Sequence, residues 1–274
     1  MNSEIFEVNE IVSKTNSTIV KIGKLSSKKH RISEKMFICN GIKLFLESVN
    51  FNADIKYIVL ENNTDFDLEI IDKIKRLQKN GVSILCVSSS VFEKLTEESA
   101  PQGIITVCAF FDEKHKFIDK FEYVEYGKKI MMFESVRDPG NVGTIIRNAA
   151  AFGIDTLIFS SDCVDIYSPK IIRATMGAIF KVNICVVDDF LASIQYLKKC
   201  GKKVLGTALK KDSLILGKVK ITSDDVMIIG NEGHGLSQET LELCNNTVLI
   251  PMCENTESLN AAIATAIFMW EIFK

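Results

Sequence analysis

The sequence contains no Cys-x-x-Cys pair, no clustered histidines and no excess of positive charge. No run approaches the ~20 consecutive apolar residues that a membrane-spanning helix requires. Each absence weighs against a class of function. Eight cysteines stand singly at Cys39, Cys86, Cys108, Cys163, Cys185, Cys200, Cys244 and Cys253, most of them in apolar runs such as 84–86. Isolated thiols in apolar surroundings read as buried and reduced, which argues against a zinc site or a disulfide framework and for a cytoplasmic protein. The single tryptophan, beside seventeen phenylalanines, suits packed interiors better than an aromatic nucleic-acid platform. Residues 1–10 are too acidic and polar for a signal peptide. A net charge of −2 argues only against a uniformly basic nucleic-acid binder, because binding needs a local basic face and not a basic total.

What is present is an α/β alternation. With 274 residues and 47% apolar content, the chain is long enough for about two domains with sizeable cores. In the first half, apolar runs predict strands over 35–39, 55–60, 82–87 and 103–110, alternating with helices over 41–48, 65–80 and 90–96. A charged stretch without clear periodicity, 112–120, marks a boundary. This division predicts one domain over 1–112, a linker over 113–126 and a second domain over 127–274. The second half predicts strands over 129–133, 156–159, 180–187, 203–208, 225–229 and 248–252. Between and after them come helices over 142–152, 169–178, 190–200 and 237–244, the pattern of a parallel sheet with ligand loops at the strand C-termini. The chain closes with a helix from Ser258, its expected N-cap, to the end. Leu259, Ile263, Ile267 and Trp270 share one face of that helix, and Ala261, Ala262, Ala264 and Ala266 keep it narrow. No internal repeat or low-complexity tract appears.

Three places invite a chemical reading. The loop Gly230-Asn231-Glu232-Gly233-His234-Gly235 follows a strand and precedes a helix, but it lies in the penultimate unit and lacks dinucleotide spacing, so it does not bind NAD. Three glycines in six residues imply that backbone approaches something closely there. Arg147 sits among Ile145, Ile146, Ala149, Ala150 and Ala151 and would need a carboxylate or phosphate partner, with Glu232 the candidate carboxylate. His234, without an acidic partner in sequence, reads as a loop residue. No Ser-His-Asp set, Walker loop or metal-ligand cluster is present. The basic segment with Lys21, Lys24, Lys28, Lys29, His30 and Arg31 reads by itself as a solvated face.

Taken together, these segments resemble the SpoU/TrmH family of RNA ribose 2′-O-methyltransferases, within the SPOUT superfamily. The motifs are Asn141-Val142-Gly143-Thr144-Ile145-Ile146-Arg147, the stretch Ile228 to Ser237, and Ile250-Pro251-Met252 followed by Glu257-Ser258-Leu259-Asn260. Ser168-Pro169-Lys170 and Arg173 to Ala178 match as well. The first half resembles the ribosomal-L30e-like substrate-binding domain of many members, on Asn16, Arg31, Phe37, Gly41-Ile42-Lys43 and 101–104. Asn40 departs from that pattern, which has Glu before the Gly.

The resemblance implies a C-terminal α/β knot, a parallel sheet tied as a deep trefoil, preceded by a small L30e-like α/β domain. It implies S-adenosylmethionine held by Thr207, Ala208, Gly230, Asn231, Gly233, Ile250, Met252, Ser258 and Leu259. It implies no metal, a homodimer with the site near the interface, and RNA contact through Lys28, Lys29, Arg31 and Arg173, which reverses the solvated-face reading. The reaction implied is in-line attack of a ribose 2′-oxygen on the sulfonium methyl. Arg147 would hold the adjacent phosphate, and Asn141, Glu232, Ser258 and Asn260 would orient the reactants, Glu232 by pairing with Arg147. Large-subunit (23S) ribosomal RNA is the expected substrate. The alternatives are a tRNA ribose methyltransferase, a non-catalytic RNA-binding factor of the same fold, and a small-molecule α/β enzyme, against which the absence of any other catalytic set speaks.

Overall fold

Capped helices alternating with apolar strands build two α/β units in the computed structural model. It describes all residues except 112–114, 119–126, 211 and 254–257, and the backbone alone of 115–118. The first unit comprises Met1–Phe111 with Tyr167–Phe180, and the second Asp112–Ile166 with Lys181–Lys274. In chain order, residues 1–111 carry α1 (Asn2–Ile5), α2 (Ser17–Lys24), α3 (Lys28–Glu34), β1 (Met36–Asn40) and α4 (Ile42–Asn50). Next come β2 (Ile55–Glu61), α5 (Leu68–Lys79), β3 (Ser83–Val87), α6 (Ser89–Leu95) and β4 (Ile104–Ala109). Beyond them lie β5 (His115–Ile118), β6 (Ile130–Phe133), α7 (Pro139–Ala151), β7 (Thr156–Ser160), α8 (Pro169–Thr175) and β8 (Asn183–Val187). The chain ends with α9 (Phe190–Lys199), β9 (Lys203–Thr207), β10 (Leu214–Ile215), β11 (Asp225–Ile229), α10 (Gln238–Leu243), β12 (Asn246–Leu249) and α11 (Ala261–Phe273). No helix among the described residues is long and apolar enough to cross a membrane.

In the first unit a four-stranded mixed sheet runs β1-β4-β2-β3, with only β2 and β3 parallel. One face is closed by α2 and α6 over Ile38, Val59, Ile105 and Val107, with Ile19, Ile22, Val91 and Phe92 buried against them. Asn16 starts α2 by accepting from Thr18 N and Ile19 N, an ordinary side-chain cap. Gly41 takes φ +89°, and a Cβ there would lie 2.6 Å from Gln102 Oε1, the same atom that accepts from Ile42 N. Arg31 is the main surprise. It is 3% exposed, and its Nη1 donates at 2.7 Å to the carbonyls of both Leu25 and Ser26. A guanidinium spent on closing the end of α2 cannot reach an RNA backbone, so the expected RNA role of Arg31 is corrected to a structural one. Lys28, Lys29 and Arg173 remain exposed. Arg31→Ala is accordingly expected to destabilise the protein by about 2–3 kcal/mol, the scale of lost charge-assisted hydrogen bonds to buried carbonyls; urea melts of the two proteins compare directly.

The second unit is a wholly parallel eight-stranded sheet in the order β10-β12-β9-β11-β6-β7-β8-β5. Its central strands β6 and β11 are buried at every position, as strands covered on both faces must be. On one face α9 and α10 pack Ile194, Leu197 and Leu241 onto Ile130, Val204, Val226 and Ile228. On the other, α11 lies along α7.

Several expectations are revised. Part of the expected linker, His115–Ile118, is a parallel edge strand in register with Ile184–Val187. Four residues with two basic side chains give no periodic signal, and such charge is common on sheet edges. The rest of the described first unit's surprise is Tyr167–Phe180, which joins it from the second half of the sequence. The Tyr167 ring stacks on Phe110 at 4.0 Å and lies 4.7 Å from Phe37, and its Oη accepts from Phe111 N. The last strand stops at Leu249, ahead of Pro251, which has no N–H for a ladder. Helix α11 begins at Ala261 with Asn260 as its N-cap, accepting from Ala262 N and Ile263 N, so Ser258 is not the cap. The face of α11 carrying Ile263 and Trp270 points outward, whereas Ala261, Ala262, Thr265, Phe268, Met269 and Ile272 are buried. Most of the expected polar turn at 253–257, and the linker residues 113–114 and 119–126, lie outside the described residues.

Candidate active site

Strands β12, β9, β11 and β6 are neighbours, so the loops leaving their C-terminal ends converge. Between them lies a cavity of about 510 Å³, walled by Thr207–Lys210, the loop 230–236 and residues around Ile250 and Leu259, and floored by Leu241, Val248 and Phe268. All nine residues expected to hold a cofactor line this one cavity: Thr207, Ala208, Gly230, Asn231, Gly233, Ile250, Met252, Ser258 and Leu259. They come from three separate loops, after β9, β11 and β12, which no local sequence signal could have joined. His234, which the sequence suggests is a plain loop residue, also lines it, as do Leu209 and Lys210, which carry no motif of their own.

The loop after β11 folds on itself. Asn231 and Gly235 exchange N–H···O bonds of 3.0 and 2.9 Å, and Asn231 Oδ1 accepts from Gly233 N and His234 N. Asn231 Nδ2 donates to Ser135 O at 2.8 Å, tying this loop to the one after β6. A Cβ on Gly230 would stand 2.3 Å from the carbonyl carbon of Gly235, so this glycine is required by the loop's own closure. Gly233, by contrast, would place a Cβ no nearer than 3.6 Å to Asn231 Oδ1, and nothing in the protein demands its bareness. Of the two, Gly233 is the glycine that leaves room for a ligand.

Beside the cavity runs a polar chain. Glu232 accepts from Asn141 Nδ2 at 3.0 Å and, more weakly, from Arg137 N and Asp138 N at 3.4 Å. Asn141 Oδ1 accepts from Asn260 Nδ2 at 2.8 Å, and Asp138 Oδ1 accepts from Asn141 N as the N-cap of α7. Partial burial pushes the Glu232 carboxyl up, but the bonds from Asn141 and the backbone outweigh it and hold it below the usual carboxylate range. Asn141, Glu232 and Asn260 are thus one hydrogen-bonded set, and Ser258 lies on the cavity wall beside it.

Arg147 does not complete that set. Its expected pairing with Glu232 is not found; among the described residues no hydrogen bond or ion pair reaches its guanidinium, and it stands exposed on α7. The helix explains why. Six residues from Asn141 to Arg147 turn the chain about 600°, which leaves the two side chains about 120° apart around α7, on different flanks. The expected need for a partner rested on burial; exposed on α7, the guanidinium is solvated.

The sequence profile described as the SpoU rRNA Methylase family matches residues 128–270, and that of the MRM3-like substrate binding domain matches residues 16–106. The 23S rRNA (guanosine(2553)-2′-O)-methyltransferase RlmP of Bacillus subtilis is 28% identical over 265 residues, covering 97% of this chain and 99% of the relative. The 23S rRNA (guanosine-2′-O-)-methyltransferase RlmB of Coxiella burnetii is 29% identical over 225 residues, 80% of this chain and 86% of the relative. The crystal structure of an AdoMet-bound rRNA methyltransferase from Sinorhizobium meliloti is similar with a TM-score of 0.80 and 28% identity, covering 96% of both chains.

Proposed function

Because this chain belongs to the SpoU rRNA methylase family, we propose that it methylates a ribose 2′-hydroxyl of large-subunit (23S) ribosomal RNA, using S-adenosylmethionine. The observation that carries the reading is the convergence of the nine cofactor residues on one cavity, directly beside the Asn141–Glu232–Asn260 set.

The residues fit the cofactor. A slot of about 510 Å³ is ample for a nucleoside-sized ligand. Its apolar floor suits an adenine ring, and its loop walls offer backbone donors and acceptors. When bound, S-adenosylmethionine supplies a methyl group on a positively charged sulfur. The chain's own task is to place a ribose 2′-oxygen in line and to keep competing groups away. The Asn141–Glu232–Asn260 set locks the loop after β6, the loop after β11 and the start of α11 to one another, so the walls of the slot hold their spacing. Glu232 remains ionised at neutral pH and fixes the amide orientation of Asn141. Arg147, too basic to remove a proton, serves as a phosphate anchor for the RNA.

A homodimer is part of the proposal. Ile263, Trp270 and Phe273 are 55%, 52% and 51% exposed on the outer face of α11, and the rings of Phe152 and Phe273 flank Trp270 at about 6 Å. An apolar patch of this kind on the α7–α11 surface suits a self-complementary interface. It would also bring the exposed Arg147 up to a second copy's site. Trp270→Glu is expected to yield a folded monomer in analytical ultracentrifugation, with methyl transfer lost; an unchanged dimer would remove this surface from consideration. The knotted path is likewise a proposal, supported by the position of β12 beyond β9 and the return of α11 onto α7.

The reading is tested by transfer of radiolabelled methyl from S-adenosylmethionine to unmodified ribosomal RNA and tRNA transcripts. Label in ribosomal RNA at ribose, and not in tRNA, is the expected result. Label confined to tRNA would replace the substrate, and no cofactor binding at all would favour a non-catalytic RNA-binding factor.

A further inference from the structure

The segment between β6 and α7, residues 134–138, is held more tightly than a surface turn requires. Glu134 N donates to Ile229 O, Ser135 N to Ser160 Oγ, Val136 N to Cys163 Sγ, and Arg137 N and Asp138 N to Glu232. Every backbone N–H in the segment is therefore engaged. Ser135 adopts φ +55°, a left-handed conformation costly for a residue with a Cβ, and such strain persists only where the surroundings over-determine it. The strained turn has one evident product: it carries Arg137 to the edge of the catalytic set with its side chain 69% exposed.

Arg137 is aimed as well as exposed. Its Nη2 donates to Asp162 Oδ2 at 3.4 Å, and that carboxylate is itself gripped by Ser135 Oγ at 2.5 Å and Ser160 Oγ at 2.6 Å. One guanidinium nitrogen is thus occupied, leaving several of its five N–H donors for another acceptor. The far side of Asp162 opens on a groove lined by Glu134, Asp188, Asp189 and Glu239. An RNA backbone is repelled by four further carboxylates, so a strand reaching the centre must pass on the α7 side of Arg137.

We propose that Arg137 is a second anchor for the RNA substrate, binding a backbone phosphate next to the methylated nucleotide, with Asp162 as the positioning residue that aims it. This rests on the RNA methyltransferase reading and adds to it a contact independent of Arg147. Planar guanidinium donors suit phosphate oxygens, and a partner carboxylate at long range steers the side chain without neutralising it fully.

The experiment uses the full-length protein and a fluorescent fragment of large-subunit ribosomal RNA that the wild type methylates. Anisotropy in the presence of S-adenosylhomocysteine gives affinity without turnover, and steady-state kinetics give KM and kcat. Arg137→Ala is expected to weaken RNA binding and raise KM about tenfold, one charge-assisted hydrogen bond's worth, with kcat within about twofold. The slope of log affinity against log salt should fall by about one, the signature of a lost phosphate contact. Arg137→Lys should recover part of the affinity and the whole of the salt slope. Unchanged affinity and salt slope in Arg137→Ala would overturn the proposal, as would a parallel loss of cofactor binding, since the residue would then only support the loop. If the wild type itself binds and methylates no RNA, the methyltransferase reading fails first, an outcome separable from failure of Arg137 alone.

Discussion

Arg147→Ala is expected to lower methyl transfer about 100- to 1,000-fold, the scale seen when a charge-stabilising group is removed from a reacting centre. Cofactor affinity and melting temperature should stay at wild-type values, because within this chain the side chain is exposed, lines no part of the cofactor cavity and, among the described residues, engages no partner. A loss of both turnover and stability would instead mark Arg147 as structural. Arg147→Lys should bind cofactor normally and still lose most turnover, because an ammonium cannot reproduce the planar fork. The position of Arg147, on the flank of α7 away from Asn141, leads to a sharper form of the test. If the proposed dimer delivers Arg147 to the other copy's centre, equimolar mixing of the inactive Arg147→Ala and Asn141→Ala proteins, with exchange of subunits, should restore about a quarter of wild-type activity. Half the dimers would be mixed, each with one complete site. No recovery after verified exchange would confine Arg147 to its own subunit.

The second large effect is expected at Glu232. Glu232→Ala removes the acceptor for the Asn141 amide and for two backbone N–H groups, and Asn141 is 92% buried by its 8% exposure. Leaving that amide without an acceptor should cost about 1–2 kcal/mol, while the more exposed backbone groups turn to water. Turnover should fall at least about 100-fold, since Asn141 and through it the start of α11 lose their fixed orientation. Glu232→Gln separates charge from hydrogen bonding: it can still accept from Asn141, so a smaller loss of stability than in Glu232→Ala, with reduced turnover, is expected. The pH dependence follows from the depressed carboxyl. A group whose folded value lies below its unfolded one contributes stability that is present above the unfolded value, about pH 4.5, and is lost as pH falls through the lower folded value. Melting curves of wild type and Glu232→Gln should therefore differ by a constant amount from about pH 6 upward and converge in acid. A difference that grew toward acid would reverse the assignment.

Much of this architecture can be read from the sequence because its signals are local. Apolar runs bounded by glycine, and caps such as Ser237 before α10, locate most strands and helices from residue 35 onward to within a few residues. The signals that fail are short or charged. His115–Ile118 is too brief and too basic to show a period, yet parallel pairing to β8 makes it a strand. Leu214–Ile215 fails for the same reason of length.

The sequence by itself determined the α/β class and the boundaries of most elements, which depend on periodicity, backbone freedom and residue type acting over a few neighbours. The family resemblance of its ordered motifs, not periodicity, named the nine residues that line one cavity. Tertiary structure alone decided who meets whom. It turned Arg31, one of a run of surface cations in sequence, into an internal cap, because the end of α2 offered two carbonyls within its reach. It gave Glu232 to Asn141 and not to Arg147, because the 3.6-residue turn of α7 sets those side chains on different flanks. It buried the face of α11 that carries Ala261, Thr265, Phe268 and Ile272 and turned Ile263 and Trp270 outward, although both faces are apolar. It also placed Arg137 beside the centre, because a strained turn at Ser135 is held there by bonds from the ends of β7 and β11, which are far apart in sequence.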